Sequence, residues 1–471
     1  MQKLLTVLAI ALLASVVKAQ QPSVAWKELG TIRSLPASQI KSSRWSIGGE
    51  TLDRSYADYH AYKSYLGPLG AKRLRLQAGW ARCERTKGHY DFAWLDSIVN
   101  DALSQSVQPW VELSYGNPVY EGGGDAALAG GLPTSAEALS AWDAWVSAIV
   151  GHFKSRVREW EIWNEPDLGQ KFTAKDYAVF YARTGTIIRK EQPSARLIGL
   201  ALCCTGWAQY AQTAVDYLKS VNKLDLLNVV TLHGYKLRPE ETYPMVEEVK
   251  KVVLAAKPGV QFWQGENGAP SVKRGETIGA LREYDWSELT QAKWDLRRMF
   301  GDMGADMEVT NLFTMADIYY GSGDHMTGLN AKGLLKARPD KSIEQPKLMY
   351  SVYQHAASLF SEKISRIKNA AFNTGAGVSA FGFQKNGRSN LLVLWMSSKP
   401  AAEDDAETKT ITFSVKNVSF QKPVYVDLIS GKVYDIPSNQ YKKDDSGYTF
   451  SNVVVPDYPV VIAEKSAVVL K

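Results

Sequence analysis

The feature that most constrains this chain is a strict alternation of element type. Eight short β-rich runs, each followed by a helical pattern, occupy the first three-quarters of the sequence: Trp45–Gly48, Arg73–Gln77, Trp110–Tyr115, Val157–Trp163, Arg196–Leu202, Val229–His233, Val260–Gln264 and Val309–Met315. Strands separated by helices pair in parallel, because each return path crosses the sheet through a helix. Eight such cycles over roughly 320 residues are the size of a closed (β/α)8 TIM barrel, an α/β fold. The rival, an open doubly wound sheet, would carry a glycine-rich phosphate turn after its first strand, and the sequence after Gly48 has none.

The helical segments show apolar residues at helical spacing. Leu139, Trp142, Val146 and Ile149 form one stripe, and Tyr177, Phe180, Tyr181 and Ile187 another. Thr134-Ser135-Ala136-Glu137 reads as a capping box, and Asp285 with Glu288 as the opening of a further helix. Weaker patterns cover 56–66, 92–105, 208–219, 241–256 and 346–361. Past residue 362 the texture changes to alternating runs without helices, separated by turn residues such as Asn386-Gly387 and Ser430-Gly431, with Glu403-Asp404-Asp405 placed at a hairpin tip. Short strands at this spacing predict a C-terminal β-sandwich. The expected organisation is a leader over 1–19, an N-terminal segment over 20–44 that adds a strand to the sandwich, a barrel over 45–362 and a sandwich over 363–471.

The leader begins MQK, continues through an apolar stretch from Leu4 to Val17 and ends Val17-Lys18-Ala19. A positive start, a short apolar run and a small-x-small site predict a signal peptide cleaved before Gln20, hence export to the periplasm or the medium. No later stretch of sequence is long and apolar enough for stable membrane insertion. The net charge of +6 is spread along the chain without a basic stripe, which gives no support to nucleic-acid binding. Three cysteines, Cys83, Cys203 and Cys204, are too few for a disulfide framework, and the adjacent pair reads as two buried thiols in a strand in preference to a strained vicinal disulfide. No Cys/His cluster has zinc spacing, so neither metal nor cofactor is expected. The 14 Trp and 23 Tyr serve either a large core or the stacking of sugar rings.

In barrels of this type the reacting groups lie just past the C-terminal ends of the strands. The fourth run ends Trp163-Asn164-Glu165-Pro166, and the seventh leads into Gly265-Glu266-Asn267. Two carboxylates from facing parts of the ring can flank one glycosidic bond, one protonating the departing oxygen and the other attacking the anomeric carbon, at a separation of about 5–5.5 Å if the intermediate is covalent. The roles demand different environments. Trp163 and Pro166 are expected to supply an apolar surround for Glu165, with Glu266 opposing a second charge. Arg75 on the second strand and Tyr235 after the sixth are the expected cation and hydroxyl donor beside Glu266. Glu112 and Glu161, inside strands, are expected to be supporting polar groups below the mouth.

The WNEP run and the carboxylate after strand seven resemble clan A of the glycoside hydrolases. The segments LGAKRLRLQAGW to FAWLD, VQPWVELSYGNP and WEIWNEPDL resemble its family 39 β-xylosidase group most. The resemblance implies a retaining β-glycosidase acting on a carbohydrate substrate, with Glu165 as acid/base and Glu266 as nucleophile. It implies that Asn164 bonds the sugar 2-hydroxyl, that Arg75 supports and Tyr235 bonds the nucleophile, that His233 lines the same end, and that Trp263 or Phe313 forms part of a sugar platform. Trp80 and Asn117, which follow strands two and three, are further candidate sugar contacts. The stretch from Asp317 to Glu344, with Gly321, Gly323 and Gly328, is placed over the cleft. Two readings compete with hydrolysis: a catalytically inactive barrel that only binds carbohydrate, which the presence of both glutamates opposes, and a metal-dependent hydrolase or isomerase, for which only His233 is suitably placed.

Overall fold

The computed structural model describes residues 24–471 except 129, 171, 205, 322–326, 402–406 and 446. The leader at 1–19, the acidic tip at 403–405 and Gly323 lie outside the described residues. The first strand, β1 (Glu28–Thr31), precedes the eight that follow: β2 (Trp45–Gly48), β3 (Arg73–Gln77), β4 (Gln108–Leu113), β5 (Glu159–Ile162), β6 (Arg196–Leu202), β7 (Val229–Leu232), β8 (Gln261–Asn267) and β9 (Val309–Leu312). Strands β2 to β9 pair in chain order and close into a parallel barrel, β2 lying beside both β3 and β9 with Ile47 opposite Leu74 on one side and Leu312 on the other. The TIM-barrel expectation is borne out.

The helices between the strands form where the apolar stripes predict them, with two shifts at their starts. Helix Ala136–Phe153 is capped by Ser135, whose side chain accepts from the Ala138 amide, and not by Thr134. The amide and hydroxyl of Thr134 are both spent on the Gly122 carbonyl, so the cap moves one residue on. Helix Glu288–Gly304 opens at Ser287, which exchanges side-chain bonds reciprocally with Thr290, while Asp285 accepts from the Arg274 amide outside the helix. Among the described residues no helix is long and apolar enough to cross a membrane.

Beyond the barrel, two antiparallel sheets pack face to face. One has seven strands in the order β1, Lys432–Asp435, Pro423–Asp427, Val460–Glu464, Ser389–Met396, Val378–Lys385, Ile364–Arg366, and the other has four, Ala371–Asn373, Thr408–Lys416, Gly447–Pro456, Tyr441–Lys443. The N-terminal segment thus joins the edge of the larger sheet through β1. Asn386 and Gly387, both at positive φ, turn the hairpin between two of its longest strands.

Barrel and sandwich are joined by buried polar contacts. Glu240, in the turn Pro239–Thr242, accepts from Arg297 Nε and Nη2 at 2.9 and 2.7 Å and from Trp395 Nε1 of the sandwich at 2.7 Å. Arg297 is 1% exposed, and its Nη1 donates to the Lys399 carbonyl at 3.0 Å. Removing the carboxylate would leave a buried guanidinium short of its counter-charge, a loss of about 3 kcal/mol. Glu240→Ala is therefore expected to lower the urea midpoint of unfolding clearly, and Glu240→Gln, which keeps an acceptor, to lower it less.

Candidate active site

The site is built around Arg75. Its position in the middle of β3, with a side chain pointing into the barrel, buries the guanidinium completely. Four glutamates from four segments converge on it. Nη1 reaches Glu50 at 2.9 Å and Glu266 at 3.3 Å, Nε reaches Glu161 at 2.8 Å, and Nη2 bonds Glu112 as well as Asn164 Oδ1 at 2.9 Å. One cation cannot balance four carboxylates in a dry interior, so protons are retained. Burial, only partly countered by Arg75, pushes Glu50 up to about 7 and Glu112 up to about 8. Gly48 is required beneath this ring, since a Cβ there would lie 1.9 Å from Glu50 Oε2.

Glu165 sits just past β5, in a backbone kink where both it and Trp163 adopt positive φ (48° and 68°), rare for residues with side chains. The kink is held from behind by aromatic packing: the buried Trp163 ring meets Tyr115, Trp142, Phe172 and Phe180. The Glu165 carboxyl is raised to about 7 by burial first and by Asp167 second, while Arg75 and the Cys203 thiol pull the other way. The opposing carboxylate is thus Asp167, where the sequence pointed to Glu266. His233 Nδ1 lies 2.9 Å from Glu165 Oε1 and 3.9 Å from Glu266 Oε2. Its imidazole is fully buried, and burial drives its pKa down to about 4, so it is neutral at physiological pH.

Glu266 reaches the site because β8 is irregular. The pairing with β9 shifts between Gln264 and Asn267, a bulge that turns Glu266 inward. Gly265 permits it, since a Cβ there would lie 2.9 Å from both His233 Nε2 and Thr231 Cβ. Tyr235 donates to Glu266 Oε1 at 2.9 Å, so Tyr235 and Arg75 each hold one carboxylate oxygen. A carboxylate oxygen of Glu165 and one of Glu266 lie within 4.8 Å of each other, with His233 between them. Asn164 bridges the two sides, accepting from Arg75 and donating to Tyr115 Oη at 2.9 Å. Arg75, Asn164, Glu165, His233, Tyr235 and Glu266 are thus brought together.

Trp263, Trp80 and Asn117 are not, and their expected sugar contacts are corrected here. Trp263 is fully buried in the lower barrel, edge-on to Trp110 at 5.1 Å, in a cluster with Ile198, Val229 and Val309. It lies one layer below the ring of Arg75. Trp80 is equally buried, among Trp142, Trp145 and Tyr120, and its indole donates to Glu84 at 2.6 Å. Asn117 donates to the Glu84 carbonyl at 2.8 Å. Phe313 is 6% exposed at the end of β9. Cys203 and Cys204 are free thiols, half-buried just past β6 and not within it, with both amides donating to Asp167. The hairpin Ile318–Tyr320 with Gly328–Asn330 sets the Tyr320 ring 5.3 Å from Tyr56.

Sequence reasoning missed Glu50, Tyr115, Asp167 and Lys332. Glu50 and Tyr115 follow the ends of β2 and β4 by two residues, so the strand-end rule applied evenly to all eight strands finds them. Lys332, almost wholly buried with its ammonium 5.8 Å from the centre of the Tyr235 ring, is pushed down to about 8 by burial, and nothing in its local sequence marks it. Among the described residues, two groups of side chains have ligand atoms close enough to share a cation: Glu165, His233 and Glu266, and Asp167, Cys203 and Cys204. Protein donors already engage Glu266 in the first group and Asp167 in the second.

The raised carboxyls set a pH dependence. Glu50, Glu112, Glu165 and Asp295 have folded pKa values of about 7, 8, 7 and 8, and ordinary values when unfolded. Between pH 6.5 and 8 the folded chain therefore binds more protons than the unfolded one, so their contribution is fully present at low pH and is lost as pH rises through the folded values. His233, neutral when folded but titrating near its ordinary value when unfolded, and Lys332, pushed down to about 8, act in the opposite direction but are outnumbered by the four carboxyls. Stability, measured as the urea midpoint, is expected to fall steadily from pH 6.5 to 8.

Residues 74–253 match the family model described as glycosyl hydrolases family 39. Over 129 residues the chain is 28% identical to a β-xylosidase of Geobacillus stearothermophilus, a match that takes in 25% of each protein, so the chain spans about a quarter of that curated relative. Among solved structures, a family 39 glycoside hydrolase of Bacteroides cellulosilyticus superimposes with a TM-score of 0.63 at 17% identity, over 92% of this chain and 83% of that one. A β-xylosidase of Caulobacter crescentus gives 0.59 at 16%, over 92% and 97%. At such identities the structures show the shared fold. The family model bears out the resemblance read from the sequence, and the matched segment holds Arg75, Asn164, Glu165, His233 and Tyr235 but ends before Glu266. The stretch similar to the glycosyl hydrolases family 39 model thus runs from the second barrel strand to the helix after the sixth.

Proposed function

We propose that this protein is a retaining O-glycosyl hydrolase acting on β-linked carbohydrate, with β-xylosides the first class to test. The observation that carries the reading is the approach of Glu165 and Glu266 to within 4.8 Å, oxygen to oxygen. That gap admits an anomeric carbon and its leaving oxygen but not an additional water, the condition for a covalent glycosyl-enzyme. The family 39 match and the β-xylosidase relative support it.

The two environments suit the two tasks. Glu165, raised to about 7 by burial and Asp167, retains a proton near neutrality and gives it to the departing oxygen as the bond to the anomeric carbon breaks. Glu266, held by Arg75 and Tyr235, attacks that carbon and forms the ester. Water then enters on the face the leaving group vacated. Glu165, now ionised, takes its proton as its oxygen bonds the anomeric carbon, the ester bond to Glu266 breaks, and the sugar leaves with the original configuration. Asn164, fixed by Arg75 and Tyr115, is placed to bond a ring hydroxyl beside the anomeric centre. His233 orients Glu165 without competing for charge.

Glu266→Gln is expected to abolish hydrolysis of nitrophenyl β-glycosides while sugar binding survives. Glu165→Gln should slow unactivated oligosaccharides about 10²–10⁴-fold and activated aryl glycosides much less in the first step, because a good leaving group needs little protonation. It should also remove the alkaline limb of kcat/KM near pH 7. The first product, followed by NMR, should be the β-anomer. Equal loss on both substrate types would remove the acid role from Glu165, and a wild-type protein that binds but turns over no glycoside would leave an inactive carbohydrate-binding barrel.

Export belongs to the same reading and rests on the leader from Met1 to Ala19. Recovered from the periplasm or medium of its host, the mature chain should begin at Gln20 by terminal sequencing. Recovery from the cytoplasm with Met1 intact would reject it.

A further inference from the structure

Next to Tyr115, which bonds Asn164 of the proposed catalytic centre, lies a cavity of about 330 Å³ whose lining includes Asp53, Arg54, Tyr56, Arg82, Arg85 and Tyr115 itself. Its charge is unbalanced, with three guanidinium groups facing one carboxylate. Asp53 is already spent on Arg54 at 3.3 Å. Arg54 also donates to Gln77 at 2.6 Å and lies over the Tyr115 ring at 4.9 Å, which fixes it in the wall. Arg82 donates to the Leu52 carbonyl and to Ser55, and lies over Trp94 at 4.2 Å. Arg85 is exposed, with no protein acceptor among the described residues. Burial lowers the Arg82 pKa, and the like charge of Arg85 adds to that effect.

The loop bearing Arg85 is held rigidly. Glu84 is fully buried beneath it and accepts from Trp80 Nε1 at 2.6 Å, from Tyr120 Oη at 2.5 Å and from the Gly88 amide at 2.6 Å, while its carbonyl accepts from Asn117. The residues expected to touch sugar therefore fix the loop that presents an arginine to the cavity. Tyr115 connects cavity and reaction centre, since its hydroxyl accepts from Asn164, the residue bonded to Arg75.

We propose that this cavity is a subsite for an anionic group, a carboxylate or a sulfate, borne by the carbohydrate whose neighbouring sugar occupies the catalytic centre. Guanidinium forks match both oxyanions in geometry, and a preformed, cation-rich wall favours a charged sugar over its neutral parent. The inference rests on the hydrolase reading for the position of the sugar, but its test does not require turnover.

The probes are xylo-oligosaccharides bearing a glucuronic acid branch, sulfated galacto-oligosaccharides, and the neutral parent of each. Binding to the full-length Glu266→Gln chain is measured by calorimetry at low salt. One charged class is expected to bind about tenfold tighter than its neutral parent, and the class that does so identifies the anion. Arg85→Glu, added to that chain, should erase the difference, and Arg85→Lys should restore part of it. In the otherwise wild-type chain, Arg85→Glu should leave nitrophenyl β-glycoside hydrolysis unchanged, since Arg85 takes no part in the catalytic ring. Equal binding of charged and neutral probes, or an advantage that survives Arg85→Glu, would overturn the subsite. Absence of hydrolysis by the wild-type chain would instead count against the hydrolase reading and leave the binding result standing.

Discussion

A single buried guanidinium organises this molecule. Arg75 is fully enclosed and contacts carboxylates from β4, from β5, from the turn after β2 and from the end of β8. An isolated charge in such a place is untenable, and one carboxylate would leave donors unmet. Its five N–H groups are satisfied only when opposite sides of the barrel have come together, so barrel closure and assembly of the site are the same event. Burial in this crowded acidic ring raises Glu50 and Glu112 above the ordinary carboxyl range, so both hold protons more tightly than an exposed glutamate. The result is a polar plug of fixed dipoles in a dry interior, the kind of environment that stabilises developing charge without reorganising.

Regular strands alone would not bring the carboxylates of Glu165 and Glu266 together. Each comes from a local departure: positive φ at Trp163 and Glu165 past β5, and a shifted register around Gly265 in β8. Such conformations persist only where surroundings over-determine them. At β5 the aromatic cluster around Trp163 does this, and at β8 the grip of Arg75 and Tyr235 on Glu266 does. Breaking a neighbour of either carboxylate therefore acts on position before it acts on charge.

What the sequence revealed and what it hid follow from different physics. Eight cycles of short strand and helix were legible because period and length are local properties, and the strand-end rule found Glu165, Glu266, Tyr235 and His233. The depth of a side chain inside the barrel is not local. Trp110, Val229 and Trp263 precede Glu112, Thr231 and Gly265 by two residues, so each points to the same interior, one layer lower. Period two says which face a residue takes, but the stagger of the closed barrel decides whether it meets substrate or floor. Trp263 was misplaced for that reason. Trp80 and Asn117 were misplaced for another: strand-end residues also serve to fix loops, and Glu84, their common partner, is an acid with no motif around it. The capping shifts at Ser135 and Ser287 are smaller cases, in which a tertiary bond to Gly122 and a better-placed hydroxyl decided the helix start.

The division of labour between strands and loops bears on how such a molecule acquires a substrate. The ring around Arg75 is drawn from residues within barrel strands or at most three positions beyond them. The arginine-lined cavity is drawn from the segments after β2, β3 and β4, and Arg85, exposed at its wall, touches nothing in that ring. Tyr115 is the one residue that belongs to both, its ring under Arg54 and its hydroxyl on Asn164. A charge bound in the cavity can thus align the neighbouring sugar through direct contact while leaving the proton inventory around Arg75 untouched. Binding energy gained at a remote anionic group is useful to catalysis only if it is transmitted as position at the reacting centre. A rigid aromatic shared by both sites, its hydroxyl hydrogen-bonded within the ring, is a physical means of transmitting it.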